Sequence, residues 1–206
     1  MAILTLELGK HDDPGLIKEI AGVLKNGGIA VIPTDTIYGI VGPAENPKTV
    51  EKIYKLRKRT SSKPMIILAH SVDQITGLGV KITLKQKAVL KKLWPGQVSV
   101  VVDCPSRKLH SLHRGKKSLA FRVPSSQMLS DLLKLTGPLV APSANFEGEK
   151  PAKDIAGAKK YFGESVPLYV DGGKLDRPPS TLVKLDKLKL TLLRQGAVKI
   201  PTSLLK

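Results

Sequence analysis

The 206-residue sequence carries 34 lysine and arginine residues against 17 acidic ones, which gives a formal net charge of +17. Its 41% of hydrophobic residues excludes a disordered chain, and no apolar run approaches the roughly 20 residues that a transmembrane helix needs. The single cysteine excludes an internal disulfide. We therefore expect a cytoplasmic protein of one domain, residues 1–206, with no membrane partner. Its charge would attract polyanions, although general solubility is an alternative explanation.

Secondary-structure elements are predicted from the spacing of apolar residues and from proline, glycine and capping residues. In chain order the prediction is a strand at 3–8, a helix from Asp13 to Gly27, a strand at 28–34, a helix from Asn46, a strand at 64–69, a helix from Thr83 with Leu84 on its apolar face, strands at 97–103 and 118–123, a helix from Ser125, and strands at 138–143, 167–172, 180–185 and 190–194. The closing strands lie too close together for helical crossovers, so we expect a mixed sheet. The basic stretch 104–117 is either a mobile lid or a surface loop.

Polar side chains gather at four places where strands or helices begin and end, and α/β proteins build sites at such places. The residues concerned are Thr34, Asp35, Thr36, Tyr38, Arg57, Arg59, Lys63, Arg122, Ser143 and Asn145. Each group has a structural alternative: turn formation, compensation of a helix dipole, or an internal acidic partner for the arginine. No phosphate-binding loop, nucleophile elbow or metal-ligand spacing is present, so neither a catalytic triad nor a metal site is predicted.

Eight segments in order carry a resemblance to a known family: GGIAVIPTDTIYGI, VEKIYKLRKRTSSKPMIIL, LWPGQVSVVV, FRVPSSQMLSDLL, GPLVAPSANFEGEKPA, YVDGG, STLVKL and LLRQGAV. Together they resemble the YrdC-like family, whose best-known members are threonylcarbamoyl-AMP synthases. In that family a K-x-R pair and an S-x-N motif line a positively charged cavity. Here the S-x-N is Ser143 and Asn145, but Arg57 takes the lysine position and offers a planar fork instead of a point charge. Lys63 and Leu68 also depart from some members.

The resemblance implies an α/β fold with a twisted mixed sheet and flanking helices around a deep basic cavity, of the short single-domain type. It also implies that ATP, L-threonine and bicarbonate react to give L-threonylcarbamoyl-AMP and pyrophosphate, for threonylcarbamoyladenosine at position 37 of tRNA. No catalytic side chain is implied; Mg²⁺ would accompany ATP, and a threonylcarbamoyl transferase complex would use the product. The implied ATP contacts are Arg57, Arg59, Lys63, Ser143, Asn145 and Arg194. The implied L-threonine contacts are Thr34, Thr36, Arg122, Ser180 and Thr181.

The main alternative is a family member that binds tRNA or double-stranded RNA and lacks synthase activity. The charge of +17 fits that function, but the sequence has only one Trp, four Tyr and three Phe, and no RNA-recognition motif. An inactive paralogue with the same fold is a second alternative. A carbamoyl-transfer domain of a hydrogenase-maturation protein is disfavoured, because its zinc-finger cysteines are absent.

Overall fold

The computed structural model describes residues 3–9 and 13–205, so a few positions of the predicted domain 1–206 lie outside the described residues. The strands are β1 (Leu4–Glu7), β2 (Ala30–Ile32), β3 (Gly39–Pro43), β4 (Ile67–Leu68), β5 (Val98–Asp103), β6 (Ser118–Arg122), β7 (Leu139–Val140), β8 (Leu168–Asp171), β9 (Thr181–Asp186) and β10 (Lys189–Arg194). The helices are α1 (Pro14–Lys25), α2 (Pro47–Leu56), α3 (Val72–Gly77), α4 (Leu84–Leu90), α5 (His110–His113), α6 (Gln127–Thr136) and α7 (Ile155–Phe162). Within the described residues, no helix is long and apolar enough to cross a bilayer.

The ten strands of the described residues form one sheet in the order β1-β8-β2-β3-β7-β4-β6-β5-β9-β10. The sheet contains both parallel pairs, such as β8 with β1 and β2, and antiparallel pairs, such as β3 with β2 and β7. The predicted mixed sheet of an α/β fold is therefore confirmed. Parallel neighbours require crossover connections, and the helices between the strands supply several of them.

Helices α1 and α6 cover one face of the sheet. Asp13 caps α1 by accepting a hydrogen bond from the backbone N–H of Gly15 at 2.7 Å, and apolar residues then recur at helical spacing. Ile17, Ile20 and Leu24 of α1 are buried against the sheet in the same apolar cluster as Leu132 of α6. A second, larger cluster on the other face includes Val50 and Ile53 of α2. The sheet is thus buried on both faces near its centre.

The central strands β4 and β7 are paired with each other and have only two residues each. Regular strand pairing therefore stops just before β4 and just after β7, at the same edge of the pair. Single hydrogen bonds continue the pairing: Ala141 N donates to Ile66 O at 2.8 Å, and Ile40 N donates to Pro142 O at 3.0 Å. Ala144 N donates to Tyr38 O at 2.9 Å. The segments that precede β4 and follow β7 therefore stay next to the turn between β2 and β3. These three segments surround the candidate site.

Four elements were not predicted, namely β3, α3, α5 and α7. Strand β3 contains Gly39, Gly42 and Pro43, which disfavour strands in a sequence pattern. Packing requires glycine at position 42, because a Cβ atom there would collide with the side chain of Thr49 on α2. The glycine therefore allows α2 to pack closely on β3, a contact that local patterns do not encode.

The structure also corrects three local expectations. Ser126, not Ser125, caps α6 by accepting from Leu129 N at 3.4 Å. Leu84 is 84% exposed, because it is the first residue of α4 and faces away from the core. The stretch 104–117 is not simply irregular: it contains a 3₁₀ turn and α5, and its Leu109 and Leu112 are buried.

Candidate active site

Two adjoining cavities of unequal size lie where the short central strands end. We call them the large cavity, of about 460 Å³, and the small cavity, of about 70 Å³. Their walls share Ile66, Ser143 and Arg194. The large cavity is in the size range of sites that bind nucleotide-sized ligands, whereas the small cavity is of a size for a small polar molecule.

The wall of the large cavity is cationic. Its charged residues are Arg57, Arg59, Lys116 and Arg194, and the other residues that line it are neutral. A concave surface that carries positive charges and no acidic residue concentrates anions. The large cavity therefore suits a polyanion such as a polyphosphate.

Arg57 is buried between the end of α2 and the loop that carries Ser143 and Asn145. Its Nε donates to the carbonyl oxygens of Ser143 at 2.8 Å and Asn145 at 3.1 Å, and Nη2 donates to Ser143 Oγ at 3.2 Å. Burial lowers the pKa of Arg57 to about 10, and the neighbouring positive charge of Arg59 contributes to the same shift. The planar guanidinium fork thus ties two distant segments together, a contact that a lysine could not reproduce.

Asn145 completes this tie and does not line either cavity. Its Oδ1 accepts from Arg57 Nη2 at 3.4 Å, while its Nδ2 donates to the carbonyl oxygens of Phe146 at 2.6 Å and Glu149 at 2.9 Å. All of these bonds lie within the protein, and the side chain is 4% exposed. The structure therefore places Asn145 behind the cavity wall, where it fixes Arg57.

Arg59 and Lys63 meet at an acidic residue that the sequence patterns did not single out, Glu147. Glu147 Oε1 lies 3.0 Å from Lys63 Nζ and 3.7 Å from Arg59 Nη1, and Oε2 accepts from the backbone N–H of Thr60 at 2.7 Å. The Thr60 backbone bond, followed by the Lys63 ammonium, lowers the pKa of Glu147 to about 2. Of the two basic residues, only Arg59 lines the large cavity. The sequence signal that could have identified Glu147 is an acidic residue two positions after Asn145, which could pair with the basic residues between Arg57 and Lys63.

The small cavity is lined by Thr34, Thr36 and Arg122, and the arginine has an internal acidic partner. Arg122 Nη2 lies 3.2 Å from Asp35 Oδ1, and Nη1 donates to Thr36 Oγ1 at 3.0 Å. Burial lowers the pKa of Arg122, and the Asp35 carboxylate offsets part of that shift. Arg122 Nε is buried without a hydrogen-bond partner in the described part of the chain. One N–H of the guanidinium is therefore both buried and unpaired among the described residues.

Ser180 and Thr181 are neighbours with different surroundings. Ser180 lines the small cavity, and its Oγ lies 2.9 Å from Ser99 Oγ. The Thr181 hydroxyl donates to Val198 O and accepts from the backbone N–H groups of Gly196 and Val198, each at 3.1 Å. Thr181 thus holds the segment 196–198 and does not line either cavity.

The structure brings most of the predicted site residues to one place. Those that line the two cavities are Thr34, Thr36, Arg57, Arg59, Arg122, Ser143, Ser180 and Arg194. Lys63, Asn145 and Thr181 lie outside the walls. Arg194 joins the two cavities, and its Nη2 donates to Ser180 O at 2.9 Å. In residues 3–9 and 13–205, no cluster of three or more His, Cys, Asp or Glu side chains is arranged to hold a metal ion.

A mixed sheet whose short central strands open into a cationic cavity beside a small polar one defines an α/β protein built to hold a polyanion next to a small molecule. The family model for the Sua5/YciO/YrdC domain, which is described as "Telomere recombination", matches residues 22–196. The chain belongs to this family.

Relatives in this family have names and structures that bear on the site. A Bacillus subtilis (strain 168) protein named threonylcarbamoyl-AMP synthase is 31% identical over 173 residues, which are 82% of this chain and 49% of that protein. A Marinobacter nauticus protein of the same name is 30% identical over 162 residues, 77% of this chain and 85% of that protein. The crystal structure of P. abyssi Sua5 complexed with L-threonine matches with a TM-score of 0.83 and 26% identity, over 95% of this chain and 58% of that one. The chain thus spans about half of some relatives and most of others.

Proposed function

We propose that this chain is an L-threonylcarbamoyladenylate synthase, which converts ATP, L-threonine and bicarbonate into L-threonylcarbamoyl-AMP and pyrophosphate. The observation that carries the proposal is the pair of cavities that share Ser143 and Arg194. A polyphosphate in the large cavity and a small amino acid in the small cavity would meet at this shared wall. The name of the relatives and the L-threonine bound to P. abyssi Sua5 support the same assignment.

The reaction needs positioning and positive charge rather than a protein nucleophile. The threonine amine combines with bicarbonate, with loss of water, to give a carbamate. A carbamate oxygen then attacks the α-phosphorus of ATP, and the bond to the pyrophosphate oxygen breaks. Negative charge develops on the phosphorus-bound oxygens and on the leaving group, so fixed cations at the wall stabilise the transition state.

We assign the large cavity to ATP. Arg57, Arg59 and Arg194 would stabilise the phosphates, and Ser143 at the shared wall would donate to a phosphate or carbamate oxygen. Asn145 would act through Arg57, since its polar atoms bond to neighbouring protein groups. Lys63 would reach a phosphate only by leaving Glu147, from which it is now 3.0 Å away. Mg²⁺ would arrive with ATP and be held by phosphates and water, because the large cavity has no acidic residue in its wall.

We assign the small cavity to L-threonine. Thr34, Thr36 and Ser180 would contact its polar groups, and the guanidinium of Arg122 would pair with its carboxylate. Asp35 would keep the guanidinium in place. Thr181 would contribute indirectly, because its hydroxyl fixes the segment 196–198. The tRNA or double-stranded RNA partner, the downstream transferase complex and the cytoplasmic location stay predictions from the sequence, as does the single-domain organisation.

The test is pyrophosphate release from ATP, with L-threonine and bicarbonate omitted in turn. The proposal expects release that depends on both compounds, together with a product of the mass of L-threonylcarbamoyl-AMP. Arg59→Ala should remove most of this activity, whereas Arg107→Ala removes an equal charge from an exposed position outside both cavities and should leave it intact. Tight, salt-sensitive RNA binding without turnover would instead favour the RNA-binding alternative.

A further inference from the structure

We propose that Lys116 is an additional phosphate-binding residue of the large cavity, and that Arg114 positions it. The inference rests on the proposed use of this cavity for ATP. Lys116 lines the wall together with three arginines. It belongs to the basic stretch 104–117, to which the sequence pattern gave no definite function.

The four basic residues in the wall of the large cavity differ in how many hydrogen bonds and ion pairs they form within the protein. Arg57 and Arg59 each donate to protein oxygen atoms through two nitrogen atoms, and Arg194 donates to Ser180 O. Lys116 is exposed, and within the described residues its ammonium group takes part in no ion pair. An unpaired lysine in a wall without acids is available to bind an incoming phosphate.

The backbone around Lys116 has a conformation that only specific contacts maintain. Arg114, Gly115 and Lys117 have φ values of 51°, 82° and 55°, in the left-handed region that side-chain-bearing residues rarely adopt. Backbone hydrogen bonds close this turn, because Lys116 N donates to His113 O at 2.8 Å and Cys104 N donates to Lys117 O at 2.7 Å. Such a turn fixes the direction in which Lys116 leaves the backbone.

Arg114 attaches the turn to α2. Its Nη1 lies 2.6 Å from Glu51 Oε1, and its guanidinium stacks 4.0 Å from the centre of the Tyr54 ring. The Tyr54 hydroxyl in turn donates to Lys63 O at 2.9 Å. Helix α2 ends at Leu56, directly before Arg57, so this anchor joins the turn that carries Lys116 to the helix that precedes Arg57. The turn is therefore a fixed support for a cation.

The first experiment compares Lys116→Ala with Lys117→Ala, a neighbouring exposed lysine that does not line the cavity. Inorganic pyrophosphate and a non-hydrolysable ATP analogue are titrated calorimetrically, and the KM values for ATP and L-threonine are measured. Lys116→Ala should weaken both ligands and raise the KM for ATP by about 5-fold to 10-fold, as expected for one solvent-screened charged hydrogen bond. The KM for L-threonine should not change, Lys117→Ala should behave like the unsubstituted protein, and Lys116→Arg should retain binding. Equal weakening by both alanine variants would overturn the assignment, because it would indicate a general charge effect.

The second experiment tests the positioning role of Arg114. Arg114→Lys keeps the charge but loses the planar stacking on Tyr54, so it should weaken pyrophosphate binding in the same direction as Lys116→Ala. Adding Arg114→Lys to Lys116→Ala should produce no further loss if the arginine acts through the lysine. An additional loss in the double variant would refute that role. Because the titrations need no turnover, selective loss of pyrophosphate binding in a chain that fails the L-threonine and bicarbonate test would support this site while rejecting the proposed reaction.

Discussion

Asp35→Asn isolates the buried ion pair that supports the small cavity. Arg122 Nη2 lies 3.2 Å from Asp35 Oδ1, and the two side chains are 5% and 6% exposed. Asparagine keeps the shape but removes the charge, so the guanidinium would become a buried cation without a counter-ion. Loss of one partner of such a pair costs about 3–5 kcal/mol. The amide oxygen can still accept from Ser125 N, now 3.3 Å from Asp35 Oδ2, so we expect a loss of about 3 kcal/mol.

Urea denaturation measures this loss as a difference in the free energy of unfolding. For a chain of this size, about 3 kcal/mol corresponds to a decrease of roughly 6–12 °C in Tm. Asp103→Asn is the matched control, because Asp103 is exposed at the end of β5 and its substitution should change stability by less than about 0.5 kcal/mol. The double variant Asp35→Asn with Arg122→Met removes both charges and should recover part of the loss.

Two results would refute this reasoning. A free energy of unfolding for Asp35→Asn that matches the control would mean that the pair contributes nothing to the folded state. Additive losses in the double variant would mean that the two side chains destabilise independently, and Arg122 would then need another explanation for its burial.

Three further predictions concern other contacts of the site. Glu147→Gln should remove an acid-dependent stabilisation: the carboxylate pKa is lowered from 4.5 to about 2, so its contribution is complete above pH 4.5 and is lost as the pH falls towards about 2. Urea melts of the two proteins should therefore differ at pH 7 and converge near the acid limit, and a constant difference would contradict this. Thr181→Val should lower the free energy of unfolding by about 1–3 kcal/mol through lost hydrogen bonds, and a large rise in the KM for L-threonine without this loss would make Thr181 a direct ligand. Gly196→Ala should raise the KM for L-threonine several-fold, because the added Cβ would collide with the carbonyl oxygen of Pro179 in the small-cavity wall; unchanged kinetics would exclude this coupling.

Capping and proline patterns predicted the elements whose ends are determined by residues close by in the sequence. Asn46 followed by proline correctly marked the start of α2, because Asn46 Oδ1 accepts from the backbone N–H groups of Lys48 at 3.1 Å and Thr49 at 3.3 Å. Strand β3 was missed because Gly42 serves a contact with α2, a helix that comes later in the chain. A pattern over a few residues contains the first kind of information and not the second.

The same distinction applies to the candidate site. Motifs indicated Arg57 and Ser143, but their mutual contact joins residues 86 positions apart and depends on how α2 meets the loop after β7. Thr181 was predicted as a ligand because it follows Ser180 in a hydroxyl-bearing segment. Ser180 directly precedes β9 and Thr181 is its first residue, and only the Ser180 side chain lines the small cavity, whereas the Thr181 hydroxyl bonds to the segment 196–198. The resemblance thus indicated the segment, and the structure places one of its two hydroxyls in a cavity wall.

The two buried arginines have different hydrogen-bonding partners, and this gives the two cavities different net charges. Arg57 is held by carbonyl and hydroxyl oxygens, which fix its orientation without cancelling its charge. Arg122 is held by a carboxylate, so its pair with Asp35 has no net charge. The large cavity therefore keeps a surplus of positive charge for a polyanion, whereas the small cavity is closer to neutral and suits a molecule that carries both an amine and a carboxylate. With the cation Arg194 in the shared wall, a carbamate formed from that amine would be drawn towards the phosphate it must attack.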